Sequence, residues 1–128
     1  MHLNRASNYA ITAMAHIASN GKCAGNSIAE ACNLPPGHLL KVLQQLVKAR
    51  LLTSERGPSG GFSMRKPANE ISMLEVVEAV EGSVQAEIRG LNEIRISTKS
   101  KNALKRVCEE VAKSKREHLS KISIDSLC

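Results

Sequence analysis

The sequence predicts a mainly α-helical fold with one small β-hairpin, and three stretches of the chain carry that prediction. Residues 35–48 repeat apolar side chains at helical spacing, and residues 51–64 have the composition of two short strands around a turn. Residues 100–119 have the pattern of a long amphipathic helix. At 128 residues, the chain is long enough for one domain with a modest core.

The helix within residues 35–48 begins at two prolines, a residue type that the first helical turn tolerates. Its apolar face holds Leu39, Val42, Leu43, Leu46 and Val47. Its other face carries amides, cations and an imidazole without an acid, namely His38, Lys41, Gln44, Gln45 and Lys48. Amides and cations read base edges in the DNA major groove, and lysine neutralises phosphate. An ordinary solvated helix face remains the alternative interpretation.

The hairpin is predicted from a strand at residues 51–54 and a returning strand at residues 60–64. The turn between them is Arg56-Gly57-Pro58-Ser59-Gly60, in which proline restricts one dihedral and glycine permits positive φ and close approach to a ligand. An arginine at such a tip suits a narrow minor groove, and Ser54 is a candidate phosphate contact. A plain hairpin without a ligand is the alternative.

The residues before and after complete a winged helix-turn-helix over residues 1–82. Residues 4–19 predict a first helix with small buried residues, and Ser27 is expected to cap a second helix over residues 28–32. A helix, a turn and a second helix form the DNA-binding unit whose second helix enters the major groove. After the hairpin, Ser72 and Glu75 have the spacing of a capping box that opens a helix ending near Gly82.

Residues 83–128 are predicted to hold an effector loop and a dimerisation helix. The apolar residues of 83–98 show no clear helical or strand periodicity. The long helix, in contrast, has an apolar stripe that one chain covers only in part. A second copy related by two-fold symmetry would cover it, so we expect a homodimer. The interface candidates are Leu104, Val107, Cys108, Val111 and Leu119. The alternative is that the helix folds back on its own domain, and the tail 122–127 could add apolar contacts.

Charge is distributed unevenly along the chain. The net charge is +6, and residues 1–66 carry eight cations and two anions, whereas residues 67–98 carry two cations and six anions. A basic reading helix and a basic hairpin tip favour a polyanion as partner. Tyr9 and Phe62 are too few aromatics for base stacking, so duplex DNA is expected rather than single strands. A winged-helix module that binds another protein is the alternative.

Other function classes lack their sequence signals. The chain shows no signal peptide, no apolar run of membrane-spanning length and no C-x-x-C pair, so a reduced cytoplasmic setting without membrane association is expected. It has no P-loop, dinucleotide-binding fingerprint or nucleophile elbow, and no nucleophile–base pair stands out. We therefore predict that the protein is not an enzyme.

Four segments resemble the Rrf-two family of bacterial winged-helix regulators. They are residues 9–14 (YAITAM), 56–62 (RGPSGGF), 74–82 (LEVVEAVEG) and 122–127 (ISIDSL). The resemblance covers nearly the whole chain, and the hairpin motif is the most specific. It implies a transcriptional regulator that binds a near-palindromic promoter site as a homodimer, with long helices crossing at the interface.

The sequence also departs from the family pattern. Members that bind an iron–sulphur cluster carry three cysteines before and at the start of the long helix, where this chain has Gly90, Ile96 and Asn102. None of these ligates iron as thiolate does, so no cluster is predicted. Leu40 stands where some members have an operator-reading glutamate. Leucine can touch a thymine methyl but cannot accept from a cytosine amino group, so a different target is expected.

The remaining cysteines and histidines leave one alternative open. Cys108 stands where many members have tryptophan and is expected to be a small buried hydrophobe. His16, Cys108, His118 and Cys128 could in principle hold haem or a relocated metal site in a redox or haem sensor. Because ligating sites normally gather several convergent groups, our prediction is that no cofactor is bound.

Overall fold

The computed structural model describes residues 3–128, which form five α-helices and a two-stranded antiparallel sheet. The elements are α1 (Arg5–Asn20), α2 (Gly25–Cys32), α3 (Pro36–Lys48), β1 (Leu52–Glu55), β2 (Gly61–Met64), α4 (Met73–Glu81) and α5 (Thr98–Ser120). Short 3-10 turns occupy Ala68–Glu70, Leu91–Glu93 and Ile124–Leu127. This architecture confirms the mainly α fold with one small hairpin. Element bounds coincide with the predicted ones or differ from them by at most three residues.

Local capping explains where three of the helices begin. The Asn4 side chain accepts from the Ser7 N–H at 2.9 Å at the start of α1, and the Ser97 hydroxyl accepts from Ser100 at 3.1 Å at the start of α5. At α4 the predicted capping box is present, because Ser72 and Glu75 each accept the other's backbone N–H. Such caps satisfy donors that a helix start otherwise leaves unpaired.

The predicted cap of α2 is wrong. This helix begins at Gly25, with Ala24 as its N-cap, so Ser27 lies inside the first turn. A Cβ built on Gly25 would lie 3.5 Å from the Phe62 ring and 3.7 Å from Leu43. Both distances are ordinary van der Waals contacts, so the first residue of α2 lies beside β2 and α3, a tertiary neighbourhood that local sequence does not reveal.

The core lies between α1, α3 and α4. The small residues Ala10 and Ala13 are fully buried on α1, as the sequence predicted, and allow neighbouring helices to approach closely. Larger side chains fill the remaining space: Met14, Ile17, Ile28, Leu39, Leu43, Leu46, Leu52, Ile71 and Val76. Burial of this apolar area is the main stabilising term of the fold.

The C-terminal tail returns to the core. The Met73 N–H donates to the Ile122 carbonyl at 2.7 Å, and the Ile124 N–H donates to the Ile71 carbonyl at 2.9 Å. Ile124 is completely buried. The tail therefore packs beneath the start of α4, which confirms the apolar contacts expected of it.

The helix α5 packs mainly against α4 and leaves much of its surface exposed. The preceding segment, residues 83–97, contains only the turn at Leu91–Glu93. It is attached to α5 where Arg116 Nη1 donates to the Val84 carbonyl oxygen at 2.6 Å. No helix within residues 3–128 is both long and apolar enough to cross a membrane.

Candidate DNA-binding surface

Burial of one side of α3 determines which residues face outward. Leu39, Val42, Leu43 and Leu46 enter the core, so the opposite side of the helix is presented to solvent. At about 100° per residue, the outward side chains cover an arc of roughly 160°. All of them are exposed, and we name this set the reading face: His38, Leu40, Lys41, Gln44, Gln45 and Lys48.

The cations of this surface form no ion pair within the described part of the chain. The ion pairs within residues 3–128 join Lys22 to Glu55, Lys66 to Glu75, Arg89 to Glu87 and Lys113 to Glu117. Lys41, Lys48 and Arg56 take part in none of them. Their charge is therefore available to a polyanion.

The hairpin, called the wing from here on, has the tip that its composition predicted. Its register pairs Leu52 with Met64 and Glu55 with Gly61, which leaves residues 56–60 as the turn. The Gly60 N–H donates to the Gly57 carbonyl at 3.0 Å, and Gly57 has φ of +102°. A side chain at Gly60 would collide with the Glu55 carbonyl oxygen. The side chains at the tip, Arg56, Pro58 and Ser59, are exposed, as is Ser54 on β1.

The base of the wing is attached to the connection between α1 and α2. Cys23 and Phe62 exchange backbone hydrogen bonds of 3.0 and 2.7 Å, and Lys22 Nζ lies 3.2 Å from Glu55 Oε2. Gly61 has φ of +150°, and a Cβ there would lie 2.6 Å from the Cys23 carbonyl oxygen. This attachment fixes the position of the wing relative to α3. Sequence reasoning missed it, although the Gly60-Gly61 pair was a signal of close backbone approach.

Two clefts border the reading face, and sequence reasoning missed both. On the α1 side, a cleft of about 240 Å³ is lined by Arg5, Ala6, Tyr9, His38, Lys41, Val42 and Gln45. On the α2 side, a cleft of about 280 Å³ is lined by Gly25, Asn26, Pro36, Gly37 and Leu40. Elements other than α3 and the wing thus contribute to the same surface.

The family profile described as Iron-dependent Transcriptional regulator, named Rrf2, matches residues 3–128. The chain belongs to the Rrf2 family. Its Rrf2 relatives include the HTH-type transcriptional regulator IscR of Escherichia coli O1:K1 / APEC, 35% identical over 89 residues, which are 67% of this chain and 55% of IscR. Protein aau3 of Rhizobium meliloti is 35% identical over 85 residues, 65% of this chain and 55% of that protein. The chain spans about half the length of these curated relatives.

Solved structures support the same Rrf2 assignment. IscR of T. potens has a TM-score of 0.77 at 26% identity, over 99% of this chain and 85% of that one. CymR of Staphylococcus aureus has a TM-score of 0.70 at 28% identity, over 97% and 95%. The global cysteine regulator CymR of B. subtilis, at 20% identity and a TM-score of 0.78 over 99% and 95%, shows the fold alone. The winged helix-turn-helix is confirmed, as is the prediction that this is a regulator family rather than an enzyme family.

Because the Rrf2 profile is described as that of an iron-dependent regulator, the iron ligands that this chain can offer are relevant. Within residues 83–102 there is no cysteine or histidine, and Gly90, Ile96 and Asn102 are all exposed. Across residues 3–128, no three His, Cys, Asp or Glu side chains are placed to hold a metal ion. The donor set of this segment does not fit a cluster held by thiolates.

The other candidate ligands are spread through the fold. Cys128 Sγ lies 3.9 Å from the Ala15 carbonyl oxygen, beside the first helix. His16 is the next residue on α1, and the Asn20 side-chain amide donates to its carbonyl oxygen at 2.8 Å and lies 3.4 Å from its ring Nδ1. Cys108 is half-buried and His118 exposed, both on α5. Within one chain, these four residues do not form a convergent site.

The stripe of α5 divides into a buried part and an exposed part. Ala112 and Leu119 are already buried in their own chain, with Leu119 only 3% exposed. Leu119 is therefore wrong as an interface candidate, because it has almost no surface left for a partner. Leu104, Val107 and Val111 are 38%, 50% and 63% exposed. These three, spaced by three and four residues, lie on one side of the helix.

Proposed function

We propose that this chain is a homodimeric regulator that binds a near-palindromic site on duplex DNA. The observation that carries the proposal is the reading face, which is exposed, free of acids and flanked by a basic, glycine-rich wing. Its cations have no carboxylate partner within residues 3–128. Membership of a family of transcriptional regulators supports the same conclusion.

The side chains of the reading face suit different roles. Gln44, Gln45 and His38 carry donors and acceptors for base edges, and Leu40 offers an apolar contact to a thymine methyl. Lys41 approaches bases or phosphates, whereas Lys48, at the last turn of α3, holds a phosphate. Of the wing, Ser54 holds a phosphate, and Arg56 enters the minor groove over the turn Gly57-Pro58-Ser59-Gly60.

The test of DNA binding starts with selection of a binding site from random duplexes. Lys48→Ala should weaken binding to the selected site and to random DNA alike. It should also reduce the salt slope, the steepness with which log affinity falls with log salt concentration, by about one unit. Gln44→Ala should instead cost more on the selected site than on random DNA, because a base contact carries sequence information. If both variants bind every duplex like the wild type, α3 does not enter the groove. The winged-helix module that binds another protein would then replace this proposal.

The exposed part of the α5 stripe supports the dimer. Three large apolar side chains in one row are costly to leave in water, and two-fold pairing of α5 with its copy would cover them. Cys108, half-buried beside the row, would lie at the edge of that interface. Two coupled reading faces would then contact the two halves of a near-palindromic site.

Val111→Glu tests the interface, because it places an unpaired charge at the most exposed position of the row. We expect loss of the dimer and, with it, of tight DNA binding. Asn102→Glu is the matched control, since it makes the same charge change about 180° around the helix. Light scattering that still shows a Val111→Glu dimer would place the interface elsewhere.

A further inference from the structure

We infer that α1 supplies a third DNA contact, in which the cleft between α1 and α3 seats a sugar-phosphate unit held by Arg5 and Tyr9. This inference rests on the proposed function and deepens it. Arg5 and Tyr9 are one turn apart on α1 and therefore share a side of that helix. They line the cleft opposite His38, Lys41 and Gln45 of α3.

The cleft is continuous with the reading face. His38, Lys41 and Gln45 belong to both, at spacings of three and four residues along the α1 side of α3. DNA that lies against the reading face would therefore have one strand beside this cleft. Phosphate and sugar contacts make up half or more of the hydrogen bonds in such interfaces, so a flanking basic cleft is where one is expected.

The charge of the cleft is complementary to phosphate. Arg5 and Lys41 line it, and no acid does. Arg5 takes part in none of the ion pairs formed within residues 3–128. A carboxylate that does contact α1 is that of Glu81 on α4, which accepts from the Ser7 hydroxyl. Ser7 is two residues from Arg5, about 200° around the helix, so that carboxylate lies on the other side of α1.

The backbone that presents these two side chains is held in place. The Asn4 cap defines the first turn of α1, and Ser7 and Ala10 are fully buried next to Arg5 and Tyr9. The Tyr9 ring packs against the core while lining the cleft. Such support lowers the entropic cost of ordering these side chains when DNA binds. The arginine fork suits two phosphate oxygens, and the phenol can donate to one.

The lining also distinguishes between occupants. Ala6 and Val42 contribute apolar atoms to the lining, against which the carbons of a deoxyribose can pack. Its volume of about 240 Å³ is below the roughly 300–1,000 Å³ of most small-molecule sites. A backbone unit of DNA already docked on the reading face fits these features better than a separate ligand.

The experiment measures affinity for the selected site and for random duplex as a function of salt. Arg5→Ala should lower both affinities by roughly tenfold and reduce the salt slope by about one unit. Tyr9→Phe should lower affinity less and leave the slope unchanged, because it removes a hydroxyl and no charge. Lys99→Ala, which removes an exposed cation from the first turn of α5, is the control and should match the wild type.

Phosphate ethylation interference locates the contact. One flanking phosphate per half-site whose ethylation blocks the wild type should no longer matter to Arg5→Ala or to Arg5→Gln, which keeps most of the side-chain stem. If both Arg5 variants keep wild-type affinity and slope while Lys48→Ala loses affinity, the α1 contact is refuted and the proposed function stands. If Lys48→Ala and Gln44→Ala also bind like the wild type, the α1 contact and the proposed function are both refuted. Arg5→Lys should retain the slope with part of the affinity, because it keeps charge but loses the fork.

Discussion

Gly61 lies where the wing meets the connection between α1 and α2, and replacing it with alanine should uncouple them. Its φ of +150° is strained for any residue with a Cβ, and the new Cβ would lie 2.6 Å from the Cys23 carbonyl oxygen. That oxygen accepts one of the two hydrogen bonds between Cys23 and Phe62. The backbones must therefore separate, and the pair of bonds is lost.

The magnitude follows from these two effects. Positive φ costs a non-glycine residue about 1–2 kcal/mol. Each backbone hydrogen bond contributes about 0.5–1.5 kcal/mol, so Gly61→Ala should lower the free energy of unfolding by about 2–5 kcal/mol. Gly57→Ala is the matched control, because Gly57 also has positive φ, +102°, but nothing within 4 Å of an added Cβ. It should cost only the strain, about 1–2 kcal/mol.

Urea unfolding followed by helical circular dichroism measures both variants. With a denaturant slope of about 1–3 kcal/mol per molar, the two midpoints should differ by roughly 1 M, with Gly61→Ala the lower. Gly61→Ala should also weaken DNA binding in the folded protein, because the wing loses its fixed position. Equal midpoints for the two variants would refute the attachment of the wing to Cys23.

Three further predictions concern the wing tip, the start of α4 and iron. Arg56→Ala should weaken DNA binding by roughly 1–3 kcal/mol without a change in the unfolding midpoint, and unaltered affinity would contradict a groove contact. Partial burial raises the pKa of Glu75, but hydrogen bonds from Ser72 and Lys66 more than offset it, so the pKa is lowered below 4.5. The stabilising contribution of the Glu75 carboxylate is therefore present above pH 4.5 and lost as the pH falls through the lowered pKa. Glu75→Gln should lower the free energy of unfolding near neutral pH and match the wild type in strong acid. Anaerobic reconstitution with iron and sulphide should yield no cluster bound by residues 83–102. Stoichiometric iron and sulphide lost on mutating that segment would contradict this, whereas loss with Cys108→Ser would indicate a relocated site.

Sequence alone determined the features that depend on neighbouring residues. The period of Leu39, Leu43 and Leu46 predicts α3 and its buried side, because side chains at that spacing share one face of a helix. The capping box of α4 follows from Ser72 and Glu75 three residues apart. The composition of residues 83–102 likewise decides which iron ligands that segment can offer. The DNA-reading roles of the reading face remain predictions.

Tertiary structure decided the features that depend on residues far apart in the chain. Helix α2 begins at Gly25, beside Phe62, rather than after a Ser27 cap. Leu119 is buried in its own chain although its pattern matches the exposed members of the stripe. The pairing of Cys23 with Phe62 has no periodic signature in either segment. The cleft beside Arg5 exists only because α1 packs against α3. An amphipathic pattern tells which side of a helix avoids water, but which neighbour covers each residue is decided by how the helices pack together.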